Sequence, residues 1–262
     1  MKSVTPTVFL IGETRVVEDG LRDYLEYIGA PESMPCYRLS GSERLCEVYG
    51  RLCYRSFKPG LNPNVSKVRE GNHAYLKHII ESGHGSVLEH ATLNFIFADV
   101  SRVFTHELVR HRAGVAISQE SLRYVRLDSL SAYTPICIEE SAEGTTIFGK
   151  TFEHLEAVQR RLADEYDIEN EEFFARKKEL TSAFRRLAPM GLATTIGWSC
   201  NMRALRHVIE RRTDEAAEEE IRFVFGEVYK IVAERYPNIF GDYVVRERGD
   251  GSKTMITHNA KI

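Results

Sequence analysis

Short β-branched runs alternate with amphipathic stretches of ten or more residues, which predicts a mixed α/β or α+β fold. No internal repeat, low-complexity segment or linker interrupts the 262 residues, so a single domain spanning 1–262 is expected. That length can bury a full core, and 43% hydrophobic and 28% charged residues are ordinary for a soluble globular chain. A net charge of −3 argues against a dedicated nucleic-acid binder. Five cysteines without a CxxC pair indicate neither a disulfide framework nor a zinc ribbon, and reduced thiols of a cytoplasmic protein are the simplest reading. The N-terminal apolar run is too short for a signal peptide. No 18-residue apolar window appears, so no membrane span is expected.

Taken in order, residues 7–11 are apolar and β-branched and predict a strand. Residues 16–28 predict a helix with Val17, Leu21, Tyr24 and Leu25 on one side, ended by Gly29. Ser40 and Ser42 offer N-caps for a helix whose stripe is Leu45, Val48, Tyr49 and Leu52. Pro59 to Pro63 break the pattern, and residues 68–82 resume it with Tyr75, Ile79 and Ile80 inward. A loop over 83–89 leads to a strand at 92–97. A helix follows, capped by Ser101, with Val100, Val103, Phe104 and Leu108 on one face. A Ser/Gln/Glu-rich loop should fill 113–120, and 121–127 should return as a strand or extended edge. Residues 152–179 read as one charged helix with the stripe Leu155, Val158, Leu162 and Tyr166, and Pro189 and Gly191 end it. Residues 193–200 predict a buried strand. Asn201 can cap a helix over 202–212 that packs through Leu205, Val208 and Ile209. Asp214 is the expected cap of the last helix, with Ile221, Val224, Phe225, Val228 and Val232 inward and Pro237 as its stop. The tail after about 246 is polar and contains glycine, so it is expected to be mobile.

The chemistry concentrates between Phe104 and Tyr124. Arg102, His106 and Arg110 stand at four-residue spacing, and Arg110-His111-Arg112 with Gly114 closes the helix with cations at its C-terminal end. Further arginines follow at 123 and 126. Composition leaves two readings open: a solvated basic helix end, or an anion site in which planar guanidinium forks meet phosphate oxygens.

Arg110-His111-Arg112 followed by Ser118-Gln119-Glu120-Ser121-Leu122-Arg123-Tyr124 resembles the signature of the flavin-dependent thymidylate synthases. The stretch from His84 to His90, Val100-Ser101-Arg102 and His106 to Arg110 resemble that family's lead-in. Arg185 to Pro189, Asn201-Met202-Arg203 and His207 to Arg212 fall in its downstream order. The similarity runs from about Cys46 to Tyr236. Two departures stand out. Positions 113 to 120 hold one residue more than the family's usual spacing, and Glu107 stands where the family often has Gln.

The resemblance implies an antiparallel sheet flanked by long helices, assembled as a homotetramer with flavin sites between subunits. It implies C5 methylation of a uridine 5′-monophosphate, dUMP first, with FAD as cofactor and NADPH and methylenetetrahydrofolate as co-substrates. It assigns Ser86, Arg110, His111, Arg112, Gln119, Asn201, Arg203 and His207 to FAD. It assigns Glu107, Arg110, Gln119, Ser121, Leu122, Arg123, Arg185 and Arg212 to the nucleotide, with Arg212 the catalytic group that favours N3 ionisation. On spacing alone Ser86 is a turn residue, Asn201 a simple N-cap, and His84 and His90 partly buried histidines.

Uracil C5 is a weak nucleophile, and two chemistries can activate it. A cysteine thiolate can add to C6, but Pro35-Cys36 is a lone dipeptide and a poor candidate. Alternatively, cations favour the N3-deprotonated ring while a reduced flavin supplies hydride, and the abundance of arginine suits this route. His106 and His111 mimic a zincin pair but stand five apart, so on a helix they would point in different directions, and no metal is expected. A nucleic-acid-binding protein built on the same arginines is the rival. The chain shows no aromatic stacking stripe near Arg110 to support it. UMP remains an alternative substrate, because Glu107 is an acceptor only and the extra residue beside it leaves room for another hydroxyl.

Overall fold

The structure, a computed structural model, describes residues 2–35, 40–124, 127, 129–260 and 262. Cys36 and Arg126 lie outside the described residues. The chain begins with β1 (Lys2–Ser3), β2 (Thr7–Glu13), α1 (Glu18–Tyr27), α2 (Gly41–Tyr54) and α3 (Asn72–Glu81). A 3-10 turn over Gly85–His90 leads into β3 (Thr92–Ser101), α4 (Arg102–Leu108), β4 (Val115–Gln119), β5 (Ser131–Ala132) and α5 (Ile136–Glu139). The long helices α6 (Ala142–Glu165) and α7 (Phe174–Phe184) follow, then β6 (Ala193–Asn201), α8 (Met202–Arg212), α9 (Glu219–Arg235), α10 (Pro237–Phe240), β7 (Val244–Glu247) and β8 (Lys253–Ile256).

The main sheet has the order β2-β3-β6-β4. Its pairings are antiparallel, as the bonds at strand ends show. Thr14 N–H donates to Thr92 O, Asn201 N–H to Gly114 O and Glu120 N–H to Thr195 O, each joining the end of one strand to the start of the next. Small pairs β1-β5 (parallel) and β7-β8 (antiparallel) complete the strands. The mixed, antiparallel fold class is therefore as expected. No helix among the described residues is long and apolar enough to cross a membrane.

By its internal contacts the chain forms two units where one domain was expected. The first comprises Met1–Phe9, Ile96–Arg110 and Ile117–Trp198; the second comprises Leu10–Phe95, His111–Ala116 and Ser199–Ile262. In the first, Phe152 of α6 packs with Leu127, Leu130, Ala132 and Leu192, while Phe97 meets Phe104 and Trp198. In the second, α1 packs through Leu21 and Leu25 against Ala30 and Phe57. There α8 and α9 bury Leu205, Val208, Ile209, Val224, Phe225 and Val228.

Several expectations need correction. On helix α2 the apolar stripe is only partly covered: Leu52 is 45% exposed, and Leu45, Val48 and Tyr49 are half-buried, Val48 against the cluster of Leu21, Leu25 and Phe57. Its opposite face, with Ser42, Glu43, Arg44, Glu47 and Arg51, is the buried one. Each of those charges has a partner. Arg44 clamps Glu18, Arg51 Nε donates to Glu47 at 2.7 Å, Asn72 Nδ2 donates to Glu47 at 2.8 Å, and Asn238 N–H donates to Glu43 at 2.9 Å. A polar face whose charges each meet a partner can be buried, so hydrophobic periodicity alone does not fix the helix's orientation. Helix α3 starts four residues later than expected, after Gly71 at φ 79°.

The stretch 113–120 is mostly strand. Residues 121–124 form a turn, with Tyr124 N–H donating to Ser121 O, so the expected strand at 121–127 is not formed there. The helix expected over 152–179 is two. Ser141 starts α6 ten residues earlier by accepting from Gly144 N–H, and Asp167 at φ 46° ends it, while Ile168 N–H donates back to Ala163 O. Asp214 caps only a turn, and Glu218 caps α9 by accepting from the N–H groups of Glu220 and Ile221.

The tail expected to be mobile forms the β7-β8 hairpin, with Met255 and Ile262 buried. Its anchor is Arg206, buried on α8 and bidentate to Asp242 at 2.6 and 2.8 Å. Asp242 also accepts from Thr257 Oγ1 and Asn259 Nδ2.

Burial pushes the Glu43 carboxyl from 4.5 up to about 7, opposed by its bonds from Asn238 and Ser40. A folded-state pKa above the unfolded one contributes stability that is full below about pH 4.5 and lost as pH rises through 7. Glu43→Gln keeps the shape and bonding of the neutral acid. We therefore expect the wild-type melting temperature to fall between pH 5 and 8 and that of Glu43→Gln to fall less, as differential scanning fluorimetry across this range would show. Parallel profiles would refute the assignment.

Candidate functional site

Two strands end in polar residues that start helices, and both helices carry predicted site residues. Ser101 closes β3 and caps α4 by accepting from Phe104 N–H at 3.1 Å. Asn201 closes β6 and caps α8 by accepting from Ala204 N–H at 2.8 Å. The capping role of Asn201 read from sequence is thus observed.

In the second unit, the segment after α4 is laid along α8. Asn201 N–H donates to Gly114 O at 2.9 Å at the start of that helix. At its far end, about 16 Å along the axis for eleven residues, Arg212 Nε donates to His111 Nε2 at 2.7 Å. Between them, His207 presents its ring edge-to-face to His111 at 6.1 Å. Gly114 has φ 70°, and a Cβ there would run into the Asn201 amide. Arg203 and His207 stand one turn apart on α8, His207 exposed and Arg203 half-buried, with Arg112 exposed on the loop. Arg203 reaches Glu89 at 2.6 Å, and a Cβ on Gly85 would lie 2.9 Å from Arg203 Nε. The exposed Ser86 follows that glycine in the 3-10 turn. Six of the eight residues assigned to flavin (Ser86, His111, Arg112, Asn201, Arg203, His207) therefore fall in this unit, along with Arg212. Their cationic and neutral donors, beside glycines that allow close backbone approach, suit a phosphate-bearing cofactor.

The first unit holds Glu107, Arg110, Gln119, Ser121, Leu122, Arg123 and Arg185. Arg110 is exposed just past α4, its Nε donating to His106 O at 3.3 Å. Gln119 ends β4, and its Nε2 is buried without a hydrogen-bond partner, an unfilled donor. Glu120 accepts from Thr195 N–H at 3.3 Å and Thr194 Oγ1 at 3.5 Å. Ser121 to Tyr124 form the turn, and Thr181 Oγ1 donates to Arg123 O at 2.8 Å, tying that turn to α7. Leu122 packs on the core cluster around Phe152, so only its backbone can serve a ligand.

Sequence reasoning named Arg102 as part of a stripe and of the lead-in motif, but gave it no role at the site. It is half-buried, its Nε has no hydrogen-bond partner, and Nη2 donates to Glu120 O at 3.4 Å. Burial pushes its pKa down, Glu120 draws it up and Arg185 pushes it down again. An open Nε and a like charge from Arg185 would favour an anion beside Arg102. Its position directly after the Ser101 cap was the available signal. Tyr124 was also missed as a feature. Its ring is 56% exposed, with Arg123 5.6 Å and Lys178 5.4 Å from its centroid, and the bond and charge of Lys178 lower the phenol's pKa.

Helix α4 ends at Leu108, so His106 and His111 share no helix. No metal-sized cluster of His, Cys, Asp or Glu occurs among the described residues. Cys46 and Cys200 are buried, and desolvation pushes both thiols well up, so neither serves as a thiolate.

Residues 37–238 match the family model described as thymidylate synthase complementing protein. A flavin-dependent thymidylate synthase of Mycobacteroides abscessus is 34% identical over 241 residues, covering 88% of this chain and 92% of that protein. Another from Corynebacterium glutamicum is 35% identical over 224 residues, 82% of this chain and 85% of that one. Among solved structures, a UMP/dUMP methylase, PolB, from Streptomyces cacaoi bound with 5-Br dUMP aligns over 92% of this chain and 96% of its own. Its TM-score is 0.65 at 15% identity. The Helicobacter pylori thymidylate synthase X with FAD and dUMP gives a TM-score of 0.59 at 19% identity, over 90% and 98%.

The Gly114 junction has a direct test. Gly114→Ala places a Cβ against Asn201 in a left-handed backbone, so it should lose about 1–3 kcal/mol of stability. A urea melt compared with Gly149→Ala, where a Cβ meets nothing within 4 Å, measures it. Equal midpoints would show that the junction is not formed.

Proposed function

The chain belongs to the thymidylate synthase complementing protein family and is an enzyme of the flavin-dependent thymidylate synthase type, and we propose that it converts dUMP to dTMP with the residues described above. Methylenetetrahydrofolate donates the carbon and NADPH is the reductant. FAD, when bound, supplies the reducing equivalents for the transferred methylene group. Ser86, Arg112, Asn201, Arg203 and His207, with Arg110, His111 and Gln119, hold the cofactor. Arg112 and Arg203 offer forks to its phosphates, and His207 and Asn201 add neutral donors.

Arg123, Arg185 and the turn from Ser121 hold the nucleotide phosphate, with Leu122 contributing its backbone. Glu107 and Gln119 offer an acceptor and a free donor to the rest of the nucleotide. Arg212 is the catalytic group. A guanidinium at the uracil carbonyls favours loss of the N3 proton, and the ring anion carries more electron density at C5. The observation that carries this reading is the cation set at the end of α8 in a chain whose described buried thiols are held protonated. The reading includes a homotetramer, supported by the exposed apolar side chains Phe9 and Ile11 on β2 and Leu52 on α2. It also includes a cytoplasmic location, where the four described unpaired cysteines would stay reduced. No nucleic-acid partner is part of it.

The protein should purify yellow, with absorbance at about 450 nm from bound flavin. Arg212→Ala should slow oxidation of the reduced flavin by methylenetetrahydrofolate and dUMP, while NADPH reduces the flavin at near wild-type rate. Arg212→Lys should restore activity only in part, since an ammonium lacks the planar fork. Stopped-flow absorbance separates the half-reactions, and equal loss in both would remove Arg212 from catalysis. Colourless protein that FAD cannot reconstitute, yet binds RNA, would favour the nucleic-acid reading.

A second reading concerns UMP. Glu107 sits half-buried in the last turn of α4, and the stretch 113–120 that holds the additional residue opens with the Ala113–Gly114 turn ahead of β4. An acceptor with room beside it suits a sugar with one more hydroxyl. A site that hydrogen-bonds a hydroxyl discriminates on the order of a thousandfold or more. Turnover of UMP and dUMP in the wild type and in Glu107→Gln measures this, and negligible UMP turnover would leave dUMP alone.

A further inference from the structure

We propose that His111 is a positioning residue for Arg212: a neutral imidazole, protonated on Nδ1, whose Nε2 lone pair fixes the guanidinium through Nε. The inference rests on the reading of Arg212 as the group that faces the uracil ring, and it adds to the flavin contact assigned to His111. An arginine can only donate, so the 2.7 Å bond from Arg212 Nε requires an unprotonated Nε2 on His111. A neutral imidazole carries its one proton on the other nitrogen, and an imidazolium could not accept this bond at all. The tautomer therefore follows from the contact.

The geometry explains why positioning is needed. Arg212 is the last residue of α8, where no further helical turn follows to restrain a long side chain. Thr213 closes the helix with its N–H donating to Ile209 O and its hydroxyl donating to the same carbonyl, so the backbone at Arg212 is fixed while the side chain has four rotatable bonds. His111 restrains that side chain from outside the helix, at Nε. It is itself located by the Gly114 O bond to Asn201 N–H and by the His207 ring at 6.1 Å. Holding Nε orients the plane of the guanidinium, and with it the direction in which the two terminal nitrogens face.

The test uses the FAD-loaded holoenzyme and reads oxidation of reduced flavin by methylenetetrahydrofolate and dUMP, normalised to bound flavin. His111→Phe keeps a flat ring without an acceptor and should slow this step on the order of ten- to a hundredfold. His111→Gln can place an acceptor near the Nε2 position and should recover most of the rate. In an Arg212→Ala background, His111→Phe should cost clearly less than it does in the wild type, because the restrained group is gone and only the flavin contact remains to be lost. Losses that multiply in the double variant would overturn the proposal, as would a Gln variant no better than Phe. A normal rate in Arg212→Ala alone would instead defeat the reading of Arg212, leaving the flavin-dependent assignment intact. Should His111→Phe fail to fold or retain flavin, nitrogen NMR of the wild type with labelled histidine decides. The expected signal is an Nδ1-protonated His111 that changes in Arg212→Lys, and an Nε2-protonated ring at neutral pH would refute the proposal.

Discussion

The bond between Asn201 N–H and Gly114 O is the constraint on which the second unit's site depends. Asn201 spends its backbone N–H on that bond and its side chain on capping α8, so one residue fixes both the start of the helix and the strand entering beside it. Gly114 makes the approach possible because it has no Cβ and tolerates φ 70°. With that end fixed, the residues preceding Gly114 run along the helix. His111 reaches Arg212, and His207 lies between. The basic tripeptide is thus more than a solvated helix end, because it has left the helix before His111 and gained a second helix as its support.

The buried charges follow a related logic. Arg206 with Asp242, and Glu47 with Arg51 and Asn72, are held by bidentate or multiple bonds. Such groups add little net stability over an apolar core, but each is costly to leave alone, so they select one arrangement of the chain. Asp242, by also gathering Thr257 and Asn259, draws a polar tail into a defined path over α8 and α9.

The elements that were legible in sequence are those whose signal is local. Asn201 before an apolar helix, the stripe from Ile221 to Val232, and Gly29 after Tyr27 each depend on neighbours in the chain. The failures are those decided by distant partners. The polar face of α2 is buried because Glu18, Asn72 and Asn238 meet it, and nothing within residues 40–54 announces them. The hairpin tail reads as polar because its anchor, Arg206, lies some forty residues upstream. Strand β4 was hidden because it is an exposed edge whose Ser118 and Gln119 resemble a loop. Among the residues that the order of motifs singles out, the contact between His111 and Arg212 is set by the fold, as is the half-burial of Arg102, since neither follows from spacing.

That β4 is a strand changes how its length can vary. A loop absorbs one residue by bulging, but in a paired strand consecutive side chains face opposite sides. Inserting a single residue within Val115–Gln119 would exchange the faces of Ser118 and Gln119, turning the buried amide outward, unless a bulge took it up. Two residues would restore the parity. A change of one residue avoids that exchange if it falls at the Ala113–Gly114 turn, before the alternation begins. Aligned chains of this type should differ in length more freely at that turn than within the strand, where a difference of one should coincide with a bulge.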